Sequence, residues 1–157
     1  MSTFKISCSG GLNTLPSPWA DLKKDTTSAI TLLDETETDV GVTVRYTAAP
    51  AYEVSTLTAA QPGTGDASWV IAEALEGGHG SSDSVNWYAM VVEGLTPGDS
   101  YNVECFGSYD FTDTRITDFR VNNGSPQQLT VSDGSGPNLS NTVKFDGEVA
   151  DANGEIL

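Results

Sequence analysis

Between Val91 and Gly124 the chain runs VVEGLTPGDSYNVECFGSYDFTDTRITDFRVNNG, two turn signals enclosing apolar runs in strand rhythm. Pro97 presets the first corner of the turn at Gly94–Asp99, and Gly98 supplies a positive φ for the second. Tyr101, Val103 and Cys105 then fall on one face with Asn102 and Glu104 on the other, the period of two that a half-buried strand requires. After a polar loop, Ile116, Phe119 and Val121 resume and stop at Asn122-Asn123-Gly124, a tight-turn signature. A β-hairpin unit of this kind commits its neighbours to β-structure as well.

The rest of the chain repeats the pattern. Val40, Val42, Val44 and Tyr46 share one face of the cleanest strand, with Gly41, Thr43 and Arg45 on the other. Phe4, Ile6 and Cys8 alternate as a first strand, and Ile30, Leu32 and Leu33 suggest a second. The run VNWYAMVV over 85–92 is apolar nearly throughout, which predicts a central strand covered on both faces. Gln127–Val131 and Asn141–Phe145 pair as candidate strands, and the closing segment turns at Ala152-Asn153-Gly154. Between strands, Leu12–Leu22, with Pro16 and Pro18 bracketing the approach to Trp19, reads as a long loop, with Trp19 as a packing anchor. Asp34, Glu35, Glu37 and Asp39 read as a solvated hairpin tip, residues 47–68 as loop, and Trp69–Leu75 as the one helical turn. Eight or nine antiparallel strands make an all-β protein, a β-sandwich or jelly roll, in a single domain over 1–157.

Charge narrows the partners. Seven basic residues against 22 acidic give a net charge of −15, which disfavours nucleic acid and anionic membrane. No run approaches the ~20 apolar residues of a membrane helix, so no membrane insertion is expected. The start, MSTFKISCSGG, has neither the basic stretch nor the apolar core of a secretory signal. It suits a protein made and assembled in the cytoplasm, or one whose leader has been removed.

Chemistry-bearing residues are sparse. Cys8 and Cys105 both sit in strand-like contexts and read as two free thiols acting as small buried hydrophobes, the alternative being a single bridge between them. The single histidine, His79, lies between glycines and reads as an exposed loop residue with no nucleophile to serve. An enzyme is therefore not expected. Asn138-Leu139-Ser140 matches a glycosylation sequon, read as a chance match.

The order of these motifs resembles the galactose-binding-like β-sandwich domains of bacteria and phages, often appended to glycoside hydrolases and SGNH-type esterases. The likeness rests on the Gly-Leu-x-Pro-Gly turn at 94–98, Phe106-Gly107-Ser108, Arg115, Asn122-Asn123-Gly124, Asn141-Thr142-Val143 and Asn153-Gly154-Glu155-Ile156. It extends from about residue 65, where Gly65–Trp69 fits more loosely, to the end. Such domains bind sugars through loops at one end. The resemblance therefore implies a carbohydrate site at Tyr109, Asp110, Phe111, Asp113 and Arg115, an aromatic face beside groups that accept from and donate to hydroxyls. The other reading of these residues is that the aromatics cap the core and Arg115 pairs with a neighbouring acid. No cofactor is required. Many such domains hold a structural calcium, for which Asp146, Glu148 and Asp151 would offer oxygens, although no D-x-D-x-D-G loop is present.

Two non-enzymatic functions follow. One is a structural protein of a tailed bacteriophage virion, a capsid decoration (cement) protein or a tail or fibre component. It would be assembled in the host cytoplasm as a homo-oligomer among virion and capsid proteins. The alternative is a carbohydrate-binding module of a bacterial secreted glycoside hydrolase or esterase, acting outside the cell.

Overall fold

The computed structural model describes residues 3–8, 15–23, 28–48, 52–54, 62–70, 78–80, 88–108 and 112–157. Among these residues eleven strands are present: β1 (Lys5–Ser7), β2 (Trp19–Asp21), β3 (Ile30–Leu33), β4 (Asp39–Ala48), β5 (Tyr52–Val54), β6 (Gly78–Gly80), β7 (Ala89–Glu93), β8 (Ser100–Cys105), β9 (Thr114–Phe119), β10 (Gln127–Asp133) and β11 (Val143–Val149). Eight of them are the strands expected from the sequence; the other three, β2, β5 and β6, are three-residue pairings, too short to carry a period. β2 lies within the Leu12–Leu22 stretch that reads as loop, and β6 contains His79, whose backbone pairs with Glu53. A 3-10 turn at Gly65–Ala67 precedes the helical turn expected from Trp69; residues 71–77 lie outside the described part.

Alternation in β4 explains the first sheet. Val42, Val44 and Tyr46 are buried, while Val40 is exposed although the simple period puts all four on one face. Gly41, at φ +81°, breaks the alternation between Val40 and Val42. β4 pairs antiparallel with β3 on one side and β7 on the other. Beyond β7 the chain's last residues add a further rung. The Val92 N–H donates to the Ile156 carbonyl at 2.9 Å, and Ile156 returns the bond at 3.0 Å. Apart from that one bridge β7 is the edge of the sheet, and only Val91 of its five residues is fully buried, so the central strand covered on both faces that its apolar sequence predicts is not what forms; residues 85–87, including Trp87, lie outside the described part.

The second layer comes from β8 paired with β11 and β9 paired with β10, both antiparallel, so the strands of 91–124 take partners outside that stretch instead of forming a hairpin with one another, and 127–131 does not pair with 141–145. Leu32, Val42, Val44 and Tyr46 of the first sheet meet Leu129, Val131, Val143 and Phe145 in one buried cluster, which makes the fold a β-sandwich. Burial of a side chain such as Phe145 stabilises by about 2–3 kcal/mol. One pair departs from the antiparallel pattern: β1 runs parallel to β2 and feeds Ile6 and Cys8 toward the same core.

Turns fasten one end. In Thr96–Asp99 the Asp99 N–H donates to the Thr96 carbonyl at 3.2 Å, and Gly98 has φ +80°, the type II geometry that Pro-Gly predicts. This turn locks against the closing turn of the chain. Leu95 N–H donates to Gly154 O (3.0 Å), Gly98 N–H to Ala150 O (3.0 Å), and Ala150 N–H to Asp99 O (3.0 Å). A smaller cluster, Ala67 and Val70 with Leu15, Trp19, Trp69, Phe106 and Leu139, packs separately from the main core. There Trp19 stacks on Trp69 with centroids 6.1 Å apart, and the Lys5 ammonium lies 5.7 Å from the Trp19 ring. Trp19 is a packing anchor, as read from the sequence.

Candidate functional site

Tyr109, Asp110 and Phe111 of the sugar-site reading lie outside the described residues. The other two members are neighbours on the surface at the start of β9. Arg115 Nε donates to Asp113 Oδ1 at 3.1 Å, and its Nη2 stands 3.0 Å from Asp113 Oδ2, a two-pronged pair. Both side chains are more than half exposed, so the pair adds little to stability. Opposite them, the Asp133 carboxylate is held below its ordinary value by the Ser135 hydroxyl (2.7 Å) and then by the Ser135 N–H (2.8 Å).

Two of the three acids considered for calcium are engaged locally. Asp151 Oδ1 accepts from the N–H groups of Asn153 (2.8 Å) and Glu155 (2.9 Å), shaping the last turn. Glu148 accepts from the Asn122 amide at 3.0 Å. Asp146 is exposed on β11. No group of three or more His, Cys, Asp or Glu side chains suited to a metal occurs among the described residues.

The two thiols are free and partly buried, packed against the core cluster. Burial pushes Cys8 up to about 11, partly opposed by its hydrogen bond with Tyr46, and burial pushes Cys105 up to about 12. Neutral thiols of this kind are poor nucleophiles. Asn138 of the sequon is also structural. Only 8% exposed, it donates through Nδ2 to the carbonyls of Gly107 (3.0 Å) and Asn141 (2.8 Å) and accepts at Oδ1 from the Asn141 N–H (3.0 Å). Trp69 differs: its Nε1–H is buried with no acceptor.

A feature that sequence reasoning misses lies where β4, β7 and the last residues meet. Arg45, Val91 and Glu93 alternate out of the core on adjacent strands, with Arg45 directly opposite Val91. The Arg45 guanidinium reaches along the sheet to Glu93, with Nη2–Oε1 at 2.6 Å and Nε bonded to both carboxylate oxygens. That hydrogen-bonded pairing, with Glu155 contributing, raises the guanidinium pKa further. Ile156 points into the core, so Leu157 and Glu155, its neighbours in an extended segment, point to the Val91 side. Asn122, at φ +52°, fixes this end by donating its N–H to the Leu157 carbonyl and accepting the Leu157 N–H at Oδ1 (3.3 Å).

One further wall comes from a bulge in β11. Register slips between Phe145 and Glu148, where Gly147 (φ +74°) donates its N–H to Asn102 Oδ1 at 3.0 Å. The slip reverses the alternation, so that Val149 turns outward and Ala150 inward. The outcome is an open groove of about 490 Å³ with Val91, Val149 and Leu157 as its apolar part and Arg45, Thr47, Asn122, Asp151 and Glu155 around them. The Leu-free sequence of β11 gives no sign of this; the signal that could have found it is Gly147 interrupting an alternating run.

Comparison with protein-family models, with curated proteins and with solved structures finds no match to this chain.

Proposed function

We propose that this chain is a non-enzymatic structural protein of a tailed bacteriophage particle. It would be a capsid decoration (cement) protein, or a tail or fibre component, built on a galactose-binding-like jelly-roll sandwich and assembling with copies of itself and with other virion proteins. The observation that carries the non-enzymatic part is how the polar side chains are spent. Asp34, Asp133 and Asp151 shape their own turns, Asn138 clamps two strand connections, and Arg45 and Arg115 hold acids beside them. These are groups employed in holding a rigid sandwich. The phage part rests on the resemblance of the 94–98 turn and the 153–156 closing segment, which are the two turns that interlock.

The test is mass spectrometry of virions purified from the host that carries the gene, together with light scattering of the isolated protein. Stoichiometric presence in particles and an oligomer in solution are expected. A strict monomer absent from particles would overturn the reading.

A second reading, sugar binding, is favoured by one observation: the Asp113–Arg115 fork stands open to solvent directly after Tyr109–Phe111 in sequence. It predicts a glycan-array signal that disappears with Arg115→Ala. Silence across the array discards it.

A further inference from the structure

We propose that the groove between β4, β7 and the C-terminal residues docks a lysine- or arginine-bearing segment of another protein. The groove has an apolar part that the fold has gone out of its way to expose. Val149 is turned outward by the β11 bulge and is 50% exposed, and Leu157 beside it is 45% exposed. Val91 between them is only 3% exposed although it lies on the outer face of its sheet. Val91 is therefore already covered, and the exposed apolar surface of the groove is that of Val149 and Leu157, two side chains side by side that a partner could cover.

Charge selects the occupant. Arg45 is the single cation among the groove's lining residues, and Glu93 already neutralises it. Asp151 and Glu155 line the groove, and Glu148 is bonded to its Asn122, so acidic side chains outnumber the one cation around it. A second copy of a chain with net charge −15 would bring more of the same sign, as would nucleic acid. A lysine or arginine satisfies both features: its methylene stem covers Val149 and Leu157 while its charged head reaches Glu155 and Asp151. This inference concerns a surface that the virion reading does not specify, and it holds or fails independently of that reading.

The test uses the full chain, labelled with nitrogen-15 and titrated with two synthetic peptides, Ac-Thr-Arg-Leu-Lys-Thr-NH2 and its counterpart with Glu in place of Arg and Lys. The basic peptide is expected to shift the amides of Val91, Asn122, Val149 and Leu157, and the acidic peptide to leave them unmoved. Glu155→Lys should weaken the basic peptide about tenfold, and Thr47→Arg on the exposed wall, which leaves the closing turn untouched, should weaken it comparably. Salt at about 0.5 M should weaken it as well, since exposed charges are screened. Shifts scattered over the acidic surface, equal response to both peptides, or no response at all would each overturn the proposal. So would the same amides shifting when the protein alone is concentrated, which would make a second copy the occupant.

Discussion

The N–H of Leu95 donates to the carbonyl of Gly154 at 3.0 Å, and the two backbones lie so close that a Cβ on Gly154 would overlap the Leu95 carbonyl oxygen. Gly154 also has φ +77°, so two independent reasons exclude a side chain there. Gly94, at φ +85°, is in the same position against the Gly41 carbonyl.

Gly154→Ala and Gly94→Ala should therefore each cost about 3 kcal/mol, part from the left-handed backbone and part from displacing a neighbouring strand. Gly98→Ala supplies the control, since Gly98 has φ +80° but open space around its Cα. It should cost only about 1 kcal/mol. Urea unfolding of the three variants makes the comparison, and equal losses would rule out the interlock as the cause.

Asn138→Ala should destabilise by about 2 kcal/mol, because it removes the hydrogen bonds that the Asn138 side chain gives to the Gly107 and Asn141 carbonyls and accepts from the Asn141 N–H. Asn138→Asp should do no better, since it removes the same two donors and adds a charge. Ser140→Ala, which spoils the sequon but keeps Asn138, should change stability little. Thermal unfolding followed by circular dichroism decides.

Stability should fall in acid. Asp34 is held below its ordinary 3.8 by the Thr36 hydroxyl (2.6 Å) and by the N–H groups of Thr38 (3.0 Å) and Thr36 (2.9 Å). Asp133 is lowered by Ser135 in the same manner. A carboxyl with a depressed folded value contributes fully above its unfolded value and loses that contribution as pH falls through the folded one. The melting temperature should therefore be flat from neutrality to about pH 5 and decline below the ordinary 3.8. Asp34→Asn should lower the melting temperature at neutral pH and flatten the acid decline, and an unchanged acid profile would remove Asp34 from the account.

The thiols give the opposite limb. Cys8 is raised from 9.0 to about 11 and Cys105 from 9.0 to about 12, so the folded state holds their protons longer than the unfolded chain does. That contribution is complete below 9.0 and is lost as pH rises through the folded values. At pH near 8 the gap between 9.0 and about 11 leaves Cys8 with about one-hundredth of the unfolded thiolate, so iodoacetamide should label the native protein at least about a hundredfold more slowly. Labelling at the unfolded rate would mean that the thiols are not where the core packing puts them.

What could be read in advance follows the range of the interactions. The 96–99 turn and the alternation of β8 are written in adjacent residues, and both appear as expected. So is the Asp113–Arg115 pairing, two residues apart, which matches the reading that Arg115 holds a neighbouring acid. β2, β5 and β6 escape notice because three residues carry no period and their partners are distant in sequence. The groove escapes for a different reason. It depends on a one-step slip in β11 and on the final residues joining β7, and neither is a property of any single stretch.

The seat of Ile156 beside Val92 also fixes an order of events in the newborn chain. β4 and β7 can pair once residue 93 has been made, yet the open edge of β7 and the core position filled by Ile156 wait for residues made more than sixty positions later. Synthesis therefore passes through a period in which a paired but unfinished sheet shows an apolar edge, the kind of surface that chaperones engage and that aggregation exploits. Expression yield, more than the stability of the finished protein, is where changes to those last residues should first be felt.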